Sequence, residues 1–417
     1  MQNTFLKRLK DTQAITVLVL IKTGSRYEDN SNLGVAHFIE HLLFKGTKKR
    51  VNSLAITKEL DGIGAEFNAF TSKDKTGFYV KAAKEHLELA LDILSDMLFN
   101  SKFDEKEINK ERGVVLEEFN MYYDNPTMFI DSLLESSVFS GHVLGKLILG
   151  EKEIIKNISR SNILKFYKKY YRYENLMIGV SGNFEEKEAT NLIKKYFKIT
   201  KFNPKNNFEI FKSKQNKFKI ILQNKPTDQV HTALGFSGIS YKDKDFYSAK
   251  LLSLILGGNM SSRLFLKLRE KMGLCYHIRA YCDNYEDSGM FSIMSGLDKD
   301  RIEKAIEYIL IELNNIKTKK VSQKELLMAK EYVKGKLILN LEDSAHVVDW
   351  YLEHLIFDNK EVSPQDVIKS IEKVTIDDIH RVANRIFQKE KINLAVIGPF
   401  ENEWKIKFEK IINKIKL

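Results

Sequence analysis

Cysteine, arginine and long apolar runs are all scarce in this chain, and each scarcity closes off a class of protein. Two cysteines in 417 residues, Cys275 and Cys282, share one apolar, aromatic stretch and cannot build the disulfide framework of a small secreted domain. They read as reduced core thiols. Only 12 of the 67 basic residues are arginine. The formal charge of +11 is therefore a lysine excess scattered through Asn- and Ile-rich sequence, not the Arg and aromatic patch of a nucleic-acid-binding surface. The longest apolar run near the start, Ile15 to Ile21, falls far short of the roughly 20 residues that span a bilayer. It follows Lys7, Arg8 and Lys10 as a signal peptide would, but Lys22 and Arg26 come next and no small-residue cleavage site does. The run reads as a buried strand, and the expectation is a cytoplasmic chain that binds neither nucleic acid nor membrane.

What is present points to two cores. At 417 residues and 43% hydrophobic the chain is long enough for two units of about 200 residues each. The first half reads as the strand Ile15 to Ile21, helices near 32–44 and 53–60, and two strands, Glu66 to Ser72 and Thr76 to Ala82, flanking the turn Lys73-Asp74-Lys75. Helices follow near 84–99, 104–122 and 127–139, with Asp104 and Glu107 suggesting a capping box. A helix, a strand at 175–181 and a last helix close the half. Residues 200–217 are polar, rich in Lys, Asn and Phe, and show neither structural period; they read as a linker. The same order of elements then recurs, and Asn175-Leu-Met-Ile-Gly-Val180 resembles Asn393-Leu-Ala-Val-Ile-Gly398. The expected architecture is α+β, with two homologous domains over 1–199 and 218–417, each a mostly antiparallel sheet with helices packed on one face.

The run His37-Phe38-Ile39-Glu40-His41 lies where Val35, Phe38, Ile39, Leu42 and Leu43 have helical apolar spacing. Residues four apart on a helix share a face about 6 Å apart along the axis, so both imidazoles can reach one zinc ion. Glu40, one turn from His37, is placed to move a proton rather than to ligate. A hydrolytic zinc needs a third protein ligand, and the helix of residues 104–122 offers Glu111 and Glu118, seven apart and on one face, with Glu117 turned about 100° aside. Glu118 is the expected third ligand, and Glu111 a supporting carboxylate that holds a ligand or water in orientation. The bland alternative is a pair of histidines and an ordinary charged helix face on solvated surfaces.

This inverted His-x-x-Glu-His motif, with Glu111 and Glu118 downstream, resembles the inverzincin zinc peptidases, the family of pitrilysin, insulin-degrading enzyme and the mitochondrial processing peptidase. The surroundings of the motif, Gly34 to Thr47, are similar to the short, processing-peptidase branch, and the resemblance covers nearly the whole chain. It implies one Zn2+ per chain on His37, His41 and Glu118, water activation by Glu40, and assistance from Glu111. It also implies that Phe67-Asn68-Ala69-Phe70-Thr71-Ser72 is an edge strand that takes substrate backbone as an added strand, with Asn68 and Ala69 as contacts. In the second half, Arg269 and Tyr276 match the family's Arg and Tyr that hold substrate and steady the tetrahedral intermediate. The family's assembly has four such units and this chain has two, so a dimer is expected, either with itself or with a non-catalytic homologue, with peptide as substrate.

Aligning Gly46 with Gly258 puts Ala249, Leu252 and Ser253 opposite the motif residues, and aligning Glu107 with Glu325 puts Lys336 opposite Glu118. The second copy has lost all the ligands together, as expected of residues that serve chemistry rather than fold. The remaining histidines show no ligand spacing and read as structural. A non-catalytic scaffold of the same fold is the alternative function.

Overall fold

In a computed structural model, which describes residues 2–204, 207–400 and 403–417, ten strands form two five-stranded sheets. Lys205 and Asn206 of the expected linker, and Glu401 beside the second strand of the repeat, lie outside the described residues. The first sheet contains β1 (Thr4–Arg8), β2 (Ala14–Ile21), β3 (Glu66–Thr71), β4 (Thr76–Ala83) and β5 (Leu176–Gly182), in the order β1-β5-β2-β4-β3. The second contains β6 (Lys219–Asn224), β7 (Val230–Ser237), β8 (Cys275–Asn284), β9 (Gly289–Leu297) and β10 (Asn393–Gly398), in the order β6-β10-β7-β9-β8. In each sheet one pair is parallel, β1 with β5 and β6 with β10, and the rest are antiparallel. Two sheets with the same order and the same single parallel pair are two copies of one α+β unit. Each is a mostly antiparallel sheet with packed helices, as the sequence implied.

The central strand β2 is apolar apart from Thr16 because both its faces are covered. Val17 and Val19 share a face with Phe78 and Val80 of β4, and the ring of Phe44, at the end of the motif helix, lies 6.3 Å from that of Phe78. On the other face Thr16 is hydrogen-bonded to Ser344 (2.8 Å), the first residue of the helix Ser344–Asp358. Gly179 of β5 lets that helix come down onto backbone, since a Cβ there would stand 2.4 Å from Val348 Cγ2. In the second unit the helix Pro126–Val138 does the same over β7 and β10, with Leu134 resting on Gly235 and Ser137 Oγ bonded to Asn393 Oδ1 (2.7 Å).

The compact units therefore depart from the expected chain halves. One comprises residues 1–120, 147–209 and 336–363, the other 121–146, 210–335 and 364–417. The cause is the second face of each sheet, which needs a helical cover that its own half of the sequence does not supply. The linker too is less idle than its polarity suggested. In the first unit Phe208 lies 3.7 Å from the Arg26 guanidinium, and in the second Phe211 packs edge-on against Phe139 at 4.9 Å.

Strand β1 went unread because only Phe5 of its five residues is fully buried, as befits an edge. The helix Phe246–Ser253 widens at its end into a π-helical turn over Leu254–Gly258. A second π-helical stretch spans Phe265–Lys271. Among the described residues, no helix is long and apolar enough to cross a membrane.

Candidate metal centre

The motif helix runs Val35–Leu43 and buries Val35, Phe38, Ile39, Leu42 and Leu43, which leaves His37, Glu40 and His41 to the other side. Its start is built with care. Gly34 has a φ of 91° and lies so close to Leu149 that a Cβ would meet the Leu149 carbonyl oxygen at 2.3 Å, so only glycine fits. The buried Glu28 carboxylate reaches in from before the helix and accepts from the N–H groups of Gly34 and Ala36, both at 2.8 Å. It does the work of an N-cap from six residues upstream. Burial outweighs those two donors and pushes the Glu28 carboxyl up to about 8.

The long helix Glu105–Asp124 brings Glu111 and Glu118 to the same place. His37 Nε2 and His41 Nε2 lie 3.2 Å apart, and the Glu118 carboxylate stands 3.6 Å from each. Tetrahedral zinc with bonds of about 2.0–2.1 Å spaces its ligand atoms roughly 3.3 Å apart, so these separations suit one such ion. Glu118 Oε2 is buried and without a hydrogen-bond partner among the described residues, as a carboxylate oxygen kept for a cation would be. No other cluster of three metal-type donors occurs among the described residues.

The two imidazoles are held differently. His41 Nδ1 is bonded to Glu111 Oε1 at 2.8 Å, which fixes the ring with Nε2 toward Glu118, and Lys45 Nζ pairs with the other Glu111 oxygen at 2.7 Å. Burial works to raise the Glu111 carboxyl, but the bonds from His41 and Lys45 outweigh it and hold it below the usual range. Burial works to lower His41, and the surrounding carboxylates outweigh that and raise it. His37 is driven down to about 3 by burial and by the charge of His41, which keeps it the neutral base a metal requires. Glu118 is raised by burial, with His41 opposing. Glu40 is also raised by burial, against a hydrogen bond that Thr71 Oγ1 donates to its Oε2 at 2.5 Å.

Beside this cluster runs β3, at the open edge of its sheet. Its hairpin is clamped from below: Ser25 and Arg26 donate their backbone N–H groups to Ser72 and Lys73, and the buried Arg26 guanidinium donates to Asp74 at 2.7 Å. Ser72 N–H bonds to Lys75 O, so antiparallel alternation turns the backbone groups of Phe67, Ala69 and Thr71 to the free edge. Asn68 Oδ1 accepts from the Ala69 N–H at 2.9 Å, covering one of those edge donors.

Of the expected residues, His37, Glu40, His41, Glu111 and Glu118 come together, and Asn68 and Ala69 lie on the adjoining edge strand. Glu117 is turned aside to Asn120. Arg269 and Tyr276 belong to the second unit, where the guanidinium stacks on the Tyr276 ring at 5.3 Å and the tyrosine is 72% exposed. Sequence reasoning missed Glu28, Lys45 and Thr71. The alternation of β3 is the one signal that could have found Thr71, since it shares a face with Phe67, whose ring lies 6.5 Å from that of Phe44.

The first of the two α+β units thus brings two imidazoles and one carboxylate together at separations that suit one metal ion, with the Glu40 carboxylate beside them. Residues 4–152 match the family model described as insulinase, peptidase family M16, and residues 157–333 match that of the peptidase M16 inactive domain. The chain belongs to peptidase family M16, as a processing-peptidase-like member. It is 33% identical to an uncharacterized zinc protease of Bacillus subtilis, over 94% of each chain. It is 29% identical to the β subunit of the mitochondrial processing peptidase of Saccharomyces cerevisiae, over 94% of this chain and 87% of that one. Among solved structures, a protease from Helicobacter pylori superposes with a TM-score of 0.87 at 26% identity, covering 94% of this chain and 96% of that one.

Proposed function

We propose that this chain is a zinc-dependent endopeptidase that cuts short or unfolded polypeptides, with His37, His41 and Glu118 holding one Zn2+ and Glu40 moving the proton. The observation that carries the reading is the convergence of two imidazole nitrogens and one carboxylate at 3.2–3.6 Å, with a further carboxylate beside them and not among them. When bound, zinc supplies Lewis acidity that makes water a nucleophile near neutral pH and polarises the scissile carbonyl. Glu40 takes a proton from the attacking water as its oxygen bonds to the carbonyl carbon, and returns a proton to the amine as the C–N bond breaks. Glu111 and Lys45 keep His41 in its ligating orientation.

Strand β3 takes the substrate. A peptide laid along its free edge can exchange hydrogen bonds with Ala69 and its neighbours, with Asn68 Oδ1 giving up the Ala69 N–H. Only an extended segment can do this, which favours unfolded chains over folded ones. Arg269 and Tyr276 are assigned to substrate and to the developing oxyanion. They serve a partner chain's centre in a dimer, formed with a second copy or with a non-catalytic homologue.

The test is hydrolysis of a quenched fluorescent peptide mixture together with metal analysis. The expected result is one zinc per chain, cleavage abolished by a chelator and restored by zinc, and a rate about 10²–10⁴-fold lower in Glu40→Gln at unchanged zinc content. Full activity in that variant, or after metal removal, would overturn the reading. A non-catalytic scaffold would cut nothing under any of these conditions.

A further inference from the structure

We propose that Thr71 is the positioning residue for Glu40, and that through it the strand which receives the peptide also sets the orientation of the base. The inference rests on the peptidase reading above. Thr71 closes β3, and its side chain and backbone face two different tasks. Its hydroxyl donates to Glu40 Oε2 at 2.5 Å across 31 residues of sequence, and among the described residues no other hydrogen bond holds that carboxylate. Its backbone N–H and C=O, by the alternation set at Ser72 and Lys75, point to the open edge where substrate would pair.

The geometry explains why a threonine suits this place. A glutamate on a helix has three rotatable bonds, and its carboxylate would otherwise sample several directions at a cost in reactive geometry. The hydroxyl ties down one oxygen and leaves Oε1 for the water. Because β3 is an edge strand, its last residue is free to adjust when a peptide adds. The Arg26 and Asp74 pair with the Ser25 and Ser72 contact anchors the turn just beyond Thr71, so such an adjustment is carried to the hydroxyl and not dissipated in the loop. Peptide pairing and base alignment are thus coupled in one residue.

Thr71→Val and Thr71→Ser separate this role from strand structure. Valine is β-branched and nearly isosteric and keeps the strand but not the hydroxyl, whereas serine keeps the hydroxyl. In the zinc-loaded protein, Thr71→Val is expected to lower kcat by about 10–100-fold with KM changed less than about 2-fold. Thr71→Ser is expected to recover most of the wild-type kcat, and bound zinc and Tm are expected to be equal in all three. Unchanged kcat in Thr71→Val, an equal loss in Thr71→Ser, or an effect confined to KM would overturn the proposal. Crystal structures of the wild type and Thr71→Val add a readout independent of turnover: the Glu40 carboxylate should leave its place in the variant, and a carboxylate that stays put refutes the positioning. If the wild type cuts no peptide, the peptidase reading fails, while these structures still decide whether Thr71 holds Glu40.

Discussion

Replacing Glu111 by glutamine exchanges one carboxylate oxygen for an NH2 group and should weaken zinc binding without touching a ligand. Glu111 is 2% exposed, and its two oxygens serve two donors, His41 Nδ1 at 2.8 Å and Lys45 Nζ at 2.7 Å. An amide can satisfy only one of them. With its oxygen toward His41, its NH2 group faces the Lys45 ammonium, donor against donor. With its NH2 toward His41, the imidazole must accept at Nδ1 and carry its proton on Nε2, the nitrogen that would ligate. A charge-assisted hydrogen bond contributes about 1.5–3 kcal/mol and a neutral one about 0.5–1.5. The first arrangement therefore costs roughly 1–1.5 kcal/mol of ligand orientation, and the second adds the penalty of a misplaced proton. The expected loss in zinc affinity is about 10-fold, rising toward 100-fold if the flipped amide prevails. Competition with a chromophoric chelator at pH 7.5 measures it, with circular dichroism and Tm as controls on folding. An affinity within two-fold of the wild type, with the fold intact, would refute the account of how His41 is oriented.

Two further predictions concern stability. Gly179→Ala should destabilise the first unit by about 1–3 kcal/mol, because the new methyl meets Val348 Cγ2 at 2.4 Å and Leu352 Cδ1 at 2.9 Å. Val348→Ala should recover part of that loss in a double-mutant cycle followed by urea unfolding, and strict additivity would count against the contact. In the second unit burial works to raise the Glu325 carboxyl, but Arg263 and Ser322 outweigh it and bring it from 4.5 down to about 2. A carboxylate depressed on folding contributes stability above its unfolded value and loses it as pH falls, so the advantage of wild type over Glu325→Gln should shrink between about pH 4.5 and pH 2. The side chain is a third exposed, which limits the contribution to about 1 kcal/mol. A difference in urea midpoint that stays constant over that range would refute the assignment.

Local pattern carried much of the fold and of the centre. The apolar spacing from Val35 to Leu43 marked the motif helix, the turn residues Lys73 and Asp74 marked the hairpin, and a seven-residue interval put Glu111 and Glu118 on one face. Each depends on residues within one or two turns of each other. What remained unread depends on distance. The helices Pro126–Val138 and Ser344–Asp358 read as helices, but nothing in their own residues says which sheet they cover. Glu28 looks like one more charge in a loop until the chain turns back at Gly34 and its oxygens meet the helix start. Thr71 and Lys45 carry no mark beyond their residue type, and their roles follow from tertiary placement.

The crossed covers have a consequence for how the protein is made. All the proposed metal ligands have been synthesised by residue 118, and β5 completes the first sheet at Gly182, yet the helix that shields its second face begins only at Ser344. At about 5–20 residues per second that face stays bare for on the order of 10 s during synthesis. A sticky sheet must be guarded for that interval, and a chain cut at its middle would leave both sheets half dressed.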